Sequence, residues 1–400
     1  MRRDALDKAL REAPIPVPPD AEKRGLEVVE TAYSQRQPRR RPVPVPRLAL
    51  AFSIATLLAA LLLSPAGAAV REWVDDVVTT SAPRPEAGLA DIPGGGRLLV
   101  QSAAGPWVVQ PDGSRRLLGD YDEATWSPRG LFVAVAAGRT LSAVEPDGTP
   151  RWSLSAAARV GGPRWSPSGY RIAYRSGREL RVVAGDGSGD RPIAAATAAV
   201  APSWSPLGHP QLAYVDGAGM LRIADSESGS TLASAPALPG VEQIDWGGAM
   251  SSILETSPRS LRLRTVQPLK LAGRPRLGPP RLLPVSPRAT VLAAALSPHS
   301  DTVAAVLARD TPTGRRSAVV LFAGGEGRGR RLLDVPGDLG EVVWSPNGRL
   351  LLISLPVSDQ WLFLPPGPGR GSAVSDVSKA FSPGRWVPSF PRLAGWCCRR

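Results

Sequence analysis

The tripeptide Trp-Ser-Pro, followed two residues later by glycine and then by an apolar stretch, recurs along this chain and limits what it can fold into. It occurs as WSPRGLFVAV from Trp126, WSPSGYRIAY from Trp165, WSPLGHPQLAY from Trp204 and WSPNGRLLLI from Trp344. Weaker copies start at Trp246, Leu296 and Phe381, so successive anchors lie 39, 39, 42, 50, 48 and 37 residues apart. A period near 40 matches one four-stranded blade of a propeller. Each residue type has a physical reason to recur. Pro128, Pro167, Pro206, Pro298 and Pro346 fix φ at the start of a tight turn, and Gly130, Gly169, Gly208 and Gly348 tolerate the positive φ that such a turn needs. Trp126, Trp165, Trp204, Trp246 and Trp344 are wedges large enough to fill the space between neighbouring blades.

The residues after each turn alternate like a half-buried strand: Tyr170, Ile172 and Tyr174 on one face, Arg171, Ala173 and Arg175 on the other. Second turns follow at Pro111 (PDGS), Pro146 (PDGT), Gly185 (GDGS) and Asp225 (DSES). WSPSGYRIAYRS resembles the repeat of TolB-like, WD40-like β-propellers, and the likeness spans roughly residues 94–390. The resemblance implies an all-β propeller over residues 94–391, with seven blades, or six if the degenerate stretch 246–295 adds none. It implies that residues 379–391 return to complete the first blade. The motif is architectural and implies no activity. The chain departs from the family at the Asp of the turn, where it has Arg129, Ser168, Leu207 and Asn347.

Residues 48–70 are 23 positions without a charge, enough at about 1.5 Å per residue to cross roughly 30 Å of hydrocarbon. A transmembrane helix is the expected reading, with a cleaved secretory signal ending at Ala66-Gly67-Ala68 as its rival. Residues 1–47 hold eleven Arg and Lys against seven Asp and Glu, which places this side in the cytoplasm and the propeller, after a linker over 71–93, outside. The tail has two short amphipathic patterns, with Leu6 and Leu10 on the first and Leu26, Val29 and Tyr33 on the second. Their apolar faces suggest a cytoplasmic partner, and the layout is similar to that of membrane-bound anti-sigma factors, although the tail has no His or Cys for a zinc site.

The net charge of +13 comes from 44 Arg and 4 Lys and reads as a solvated surface; a nucleic-acid partner is not expected. One stretch, Thr256–Ser300, has eight basic residues and no acidic one: Arg259, Arg262, Arg264, Lys270, Arg274, Arg276, Arg281 and Arg288. It is expected to be a loop, with anionic lipid or wall polymer as its conceivable ligand. The two histidines, His209 and His299, sit beside Ser-Pro turns, and no nucleophile elbow or nucleotide-binding glycine loop occurs. GDGSGD from Gly185 reads as a turn, because it lacks the remaining carboxylates of a calcium loop. No catalytic residue, cofactor or metal is expected. Cys397 and Cys398, in a C-terminal tail over 392–400, are expected outside the membrane and open to pairing between molecules. The functional expectation is a non-catalytic envelope binding or scaffolding module, with transmembrane signalling as the alternative.

Overall fold

The computed structural model describes residues 86–87, 91–249, 251–267, 274–323, 328–382 and 389–398. The tail (1–47), the apolar segment (48–70) and Lys270 lie outside them. No helix among the described residues is long and apolar enough to cross a membrane.

The described residues form seven sheets, each one blade whose successive strands pair antiparallel. From blade 2 to blade 7 the innermost strands are Glu123–Trp126, Val160–Trp165, Ser203–Trp204, Gln243–Gly247, Thr290–Leu296 and Val342–Trp344. Blade 1 takes its three outer strands, Arg97–Ser102, Gly105–Val109 and Arg115–Leu117, from the start of the propeller and its inner strand, Arg392–Cys397, from the end. The two ends of the propeller are therefore stitched into one sheet, which leaves no open gap in the ring.

Both propeller boundaries differ from those expected. The closing strand is Arg392–Cys397 and not residues 379–391, which instead begin with the end of a single helical turn, Val377–Ala380, followed by the buried Phe381. At the other end, Glu86–Ala87 pairs in parallel with Ser372–Ser375 and covers the outer edge of blade 7, so the linker joins the sheet.

The hydrophobic core is divided into seven clusters among the described residues, and each lies between two consecutive blades. One, for example, joins Ala134, Leu141 and Ala143 of blade 2 to Trp165, Ile172 and Val183 of blade 3. Each repeat tryptophan sits in the cluster between its own blade and the one before: Trp126, Trp165, Trp204, Trp246 and Trp344 are all 5–9 % exposed. Leu296 packs at the equivalent place between blades 5 and 6. Because every blade has a neighbour on both faces, the alternation expected for 170–175 fails: Ile172, Ala173 and Tyr174 are all buried.

The seventh anchor is Trp396. It lies opposite Leu98, as Trp126 lies opposite Val133 and Trp344 opposite Leu351. It packs against the cluster joining blades 7 and 1 and meets Phe363 edge-on, with ring centroids 5.7 Å apart. Its indole N–H donates to the Gly95 carbonyl at 2.9 Å. The turn that elsewhere reads Trp-Ser-Pro-x-Gly is thus split between Trp396-Cys397-Cys398 and Gly94-Gly95-Gly96. Phe381, which sequence spacing suggested as the last anchor, is a core residue of the same cluster.

Cys397 and Cys398 are bonded to each other, so pairing between molecules is not what this structure shows. The pair packs against the turn of blade 2, where any side chain at Gly130 would collide with Cys398 Sγ. With only two cysteines in the chain, unreduced protein should take up no iodoacetamide and run as a monomer on a non-reducing gel; uptake of two labels before reduction would refute the pairing. Trp396→Ala should cost about 2–3 kcal/mol in urea unfolding, less than a fully buried tryptophan would, because Trp396 is half-buried at its blade junction. A loss below about 1 kcal/mol would show that closure does not depend on it.

Candidate functional site

The Ser-Pro turn is built the same way in three blades. In blade 2, Gly130 N–H donates to the Ser127 carbonyl at 2.9 Å and Phe132 N–H to Ser127 Oγ at 3.0 Å. In blade 3 the donors are Gly169 N–H to the Ser166 carbonyl and Arg171 N–H to Ser166 Oγ; in blade 7 they are Gly348 N–H and Leu350 N–H to Ser345. Gly130, Gly169, Gly208 and Gly348 take φ values of 65–78°, the left-handed region expected of them. The hydroxyl has a part that the sequence pattern did not show: it receives a backbone N–H at the start of the next strand. Two of the indole N–H groups reach back across the junction, Trp204 to the Arg164 carbonyl at 2.9 Å and Trp344 to the Ala295 carbonyl at 3.1 Å, while that of Trp246 donates to Ser251 Oγ of its own blade at 2.9 Å.

In a four-stranded antiparallel blade, the first and third turns lie at one end and the second turn at the other. The first and third turns therefore share one face of the propeller. On it the first turns of blades 2, 3 and 4 expose apolar side chains: Leu131 at 59 %, Tyr170 at 73 % and Leu207 at 49 %. The turns at Asp112, Asp147 and Asp186, second in the sequence reading, are the third turns of blades 1, 2 and 3, because each blade has four strands. Hydrogen bonds from Ser114, Thr149 and Ser188 to these carboxylates hold each below its ordinary range. GDGSGD is such a turn, and its last carboxylate, Asp190, is taken up by Tyr174 Oη at 2.8 Å and by Arg181.

The inner strands enclose a channel of about 930 Å³. Of its acidic wall residues, Glu123 accepts from Gly162 N–H at 2.8 Å and Glu341 from Ser354 Oγ at 3.1 Å, so both serve the wall itself. Asp245 differs. The surrounding protein pushes its carboxyl up, against the opposing pull of the Arg164 guanidinium and of a 2.6 Å hydrogen bond from Gln243. A carboxylate that is held where its charge is disfavoured marks the channel as a binding candidate.

The basic stretch does not form the loop expected of it. Arg262 and Arg264 lie within the strand Ser260–Gln267, buried around Glu255, which is fully buried. Arg262 Nε donates to Glu255 Oε1 at 2.8 Å and its Nη2 pairs with Oε2, while Arg264 Nε lies 3.5 Å from Oε1 and Leu238 N–H donates to Oε2 at 2.7 Å. Arg262 Nη2 also donates to the Pro236 carbonyl of blade 4 at 2.8 Å. A carboxylate that deep must be compensated, and these two cations compensate it; they are not available to a surface ligand. Arg259 lies in a second turn at the opposite end of blade 5, Arg276 and Arg281 in its short outer strands, and Arg274 and Arg288 in connections. His299 Nε2 lies 2.9 Å from the Pro346 carbonyl and links the turns of blades 6 and 7, and His209 sits in the blade 4 turn.

No protein-family model matches the chain, and no curated protein matches it in sequence. Similar folds are found among solved structures. The Cps50 (Swd1) β-propeller domain of Myceliophteria thermophila has a TM-score of 0.53 at 16% identity over 67% of this chain and 96% of that one. A chain of the mitotic checkpoint complex has 0.49 at 16% over 80% and 93%, and hydrazine synthase of Kuenenia stuttgartiensis 0.46 at 11% over 61% and 76%. The Cps50 likeness supports the seven-bladed, WD40-like fold and extends no further.

Two outcomes test the charges described above. Glu255→Ala, which leaves two buried cations uncompensated, should destabilise the protein by about 3–5 kcal/mol in denaturant unfolding. Asp245→Asn should raise Tm at neutral pH, because the native state disfavours the aspartate charge. With the native pKa raised above the unfolded value, wild type gains stability as pH falls through the native pKa, so the advantage of Asn should vanish below about pH 4. An advantage independent of pH would assign it to something other than ionisation.

Proposed function

We propose that the chain is a non-catalytic binding module of the cell envelope: a TolB-like propeller, anchored by residues 48–70 and held outside the cytoplasm, that scaffolds a partner protein on its first-turn face. The observation that carries this reading is the contrast within one motif. The tryptophan of each copy is buried, while a few residues on, in three consecutive blades, Leu131, Tyr170 and Leu207 stand in solvent. Apolar side chains aligned on a rigid face exact a solubility cost, and a binding surface accounts for it. The seven-bladed frame supports the same reading, since propellers present fixed turns at both mouths of a channel.

A photoreactive phenylalanine analogue placed at Leu131 or Leu207 in the full chain should give the same discrete adduct in cells, whereas the analogue at Arg139, in a second turn of the opposite face, should not. Equal adducts from all three positions would sink the assignment of the face. For location, Ala218→Cys at an exposed turn should react with a membrane-impermeant maleimide on intact cells; protection until lysis would place the propeller in the cytoplasm.

A further inference from the structure

Between blades 2 and 3, the first-turn face opens into a groove of about 650 Å³ whose wall is aromatic: Phe132, Trp152, Trp165 and Tyr170. The rings are held by their surroundings. Phe132 and Trp165 stack with centroids 6.5 Å apart at 20°. The Trp152 indole N–H donates to the Gly185 carbonyl at 2.9 Å, and the backbone of Gly187 lies so close to its ring that a Cβ there would come within 2.7 Å. Gly185 N–H donates to the Tyr170 carbonyl at 2.8 Å, tying the turn that carries Tyr170 to the turn that carries Asp186.

Two charged residues line the same groove. Arg151 is already paired with Glu145. Asp186 is not paired with any cation among the described residues; its Oδ1 accepts only from Ser188, N–H at 3.0 Å and Oγ at 2.7 Å. These bonds, made to the ionised form, keep the carboxylate charged at neutral pH. The groove thus combines π faces, whose quadrupole attracts cations, with one uncompensated negative charge, and that combination selects an organic cation over a neutral apolar group.

From this geometry we infer that the groove binds an arginine or lysine side chain presented by a segment of a partner protein. Leu131 and Leu207, exposed on the first turns of blades 2 and 4 on the same face, offer that segment apolar surface besides the groove. The inference deepens the proposed function and rests on it for the face, but the chemistry of the groove can be tested without knowing the partner.

The full chain labelled with 5-fluorotryptophan provides a local readout by 19F NMR, with the Trp152 resonance assigned by Trp152→Phe. n-Butylguanidinium should shift that resonance saturably, and n-butylurea, close in shape but uncharged, should require at least roughly ten times the concentration. Asp186→Asn keeps the acceptor of the turn and should weaken guanidinium binding about five-fold; Tyr170→Ala, at an exposed ring, should act in the same direction. Equal responses to the two probes, or no response to either, would overturn the cation assignment. In either case adducts from positions 131 and 207 would leave the proposed binding face standing. The capped peptide Leu-Gly-Arg-Gly-Leu should bind at least about ten-fold more tightly than n-butylguanidinium and lose that gain in the Leu131→Ala, Leu207→Ala double variant. A peptide no tighter than the small cation would refute the protein segment as the source.

Discussion

The propeller depends on one repeated contact, a tryptophan driven between two sheets. A four-stranded antiparallel sheet of this size cannot bury both of its faces alone, so each blade is stable only while its neighbours cover it. The seven core clusters are accordingly interfaces between blades and not interiors of blades. The wedge does more than fill volume. At two junctions its indole N–H satisfies a carbonyl of the preceding inner strand, which fixes how far one blade can slide on the next. The same contact also explains the closure: Trp396 gives the junction of blades 7 and 1 the anchor that the first blade, begun without a Trp-Ser-Pro, would otherwise lack.

What could be read from the sequence follows from the range of the interactions involved. The turns were legible because their determinants are local: proline, glycine in the left-handed region, and a side-chain acceptor within five residues. The wedges were legible because large apolar residues that recur about every 40 positions mark the length of one blade. Trp396 was missed because its motif is divided between residues about 300 positions apart, and because Cys-Cys stands where the other copies have Ser-Pro. Arg262 and Arg264 were misread for a related reason. A run of eight cations with no acid looks solvated until the fold brings Glu255, just before the run, to the facing strand. The alternation from Tyr170 to Arg175 misled because it assumed a sheet with one wet face, and a blade has none.

The candidate site was less legible than the fold. The sequence places Leu131, Tyr170 and Leu207 in equivalent turns, but only the antiparallel order of the strands shows that those turns share a face with Asp112, Asp147 and Asp186. Trp152 belongs to no recognisable motif; it enters the groove because a glycine in the next blade leaves room for its ring.

Repetition and function meet at this point. A repeat constrains the residues that face its neighbours and leaves free those that face solvent, so departures from the repeat on the exposed side are where binding can evolve without loss of fold. In the Ser-Pro turn the buried tryptophan and the hydrogen-bonded serine are held by the junction. The residues that follow them are not, and here they are arginine and leucine, serine and tyrosine, leucine, or asparagine and arginine in different blades. The three apolar choices fall in consecutive blades, while the corresponding turns of blades 6 and 7 carry His299, Asn347 and Arg349. That asymmetry gives the ring of equivalent turns an apolar arc over blades 2 to 4 and a polar arc over blades 6 and 7, and a partner with one apolar patch covers the apolar arc in a single orientation.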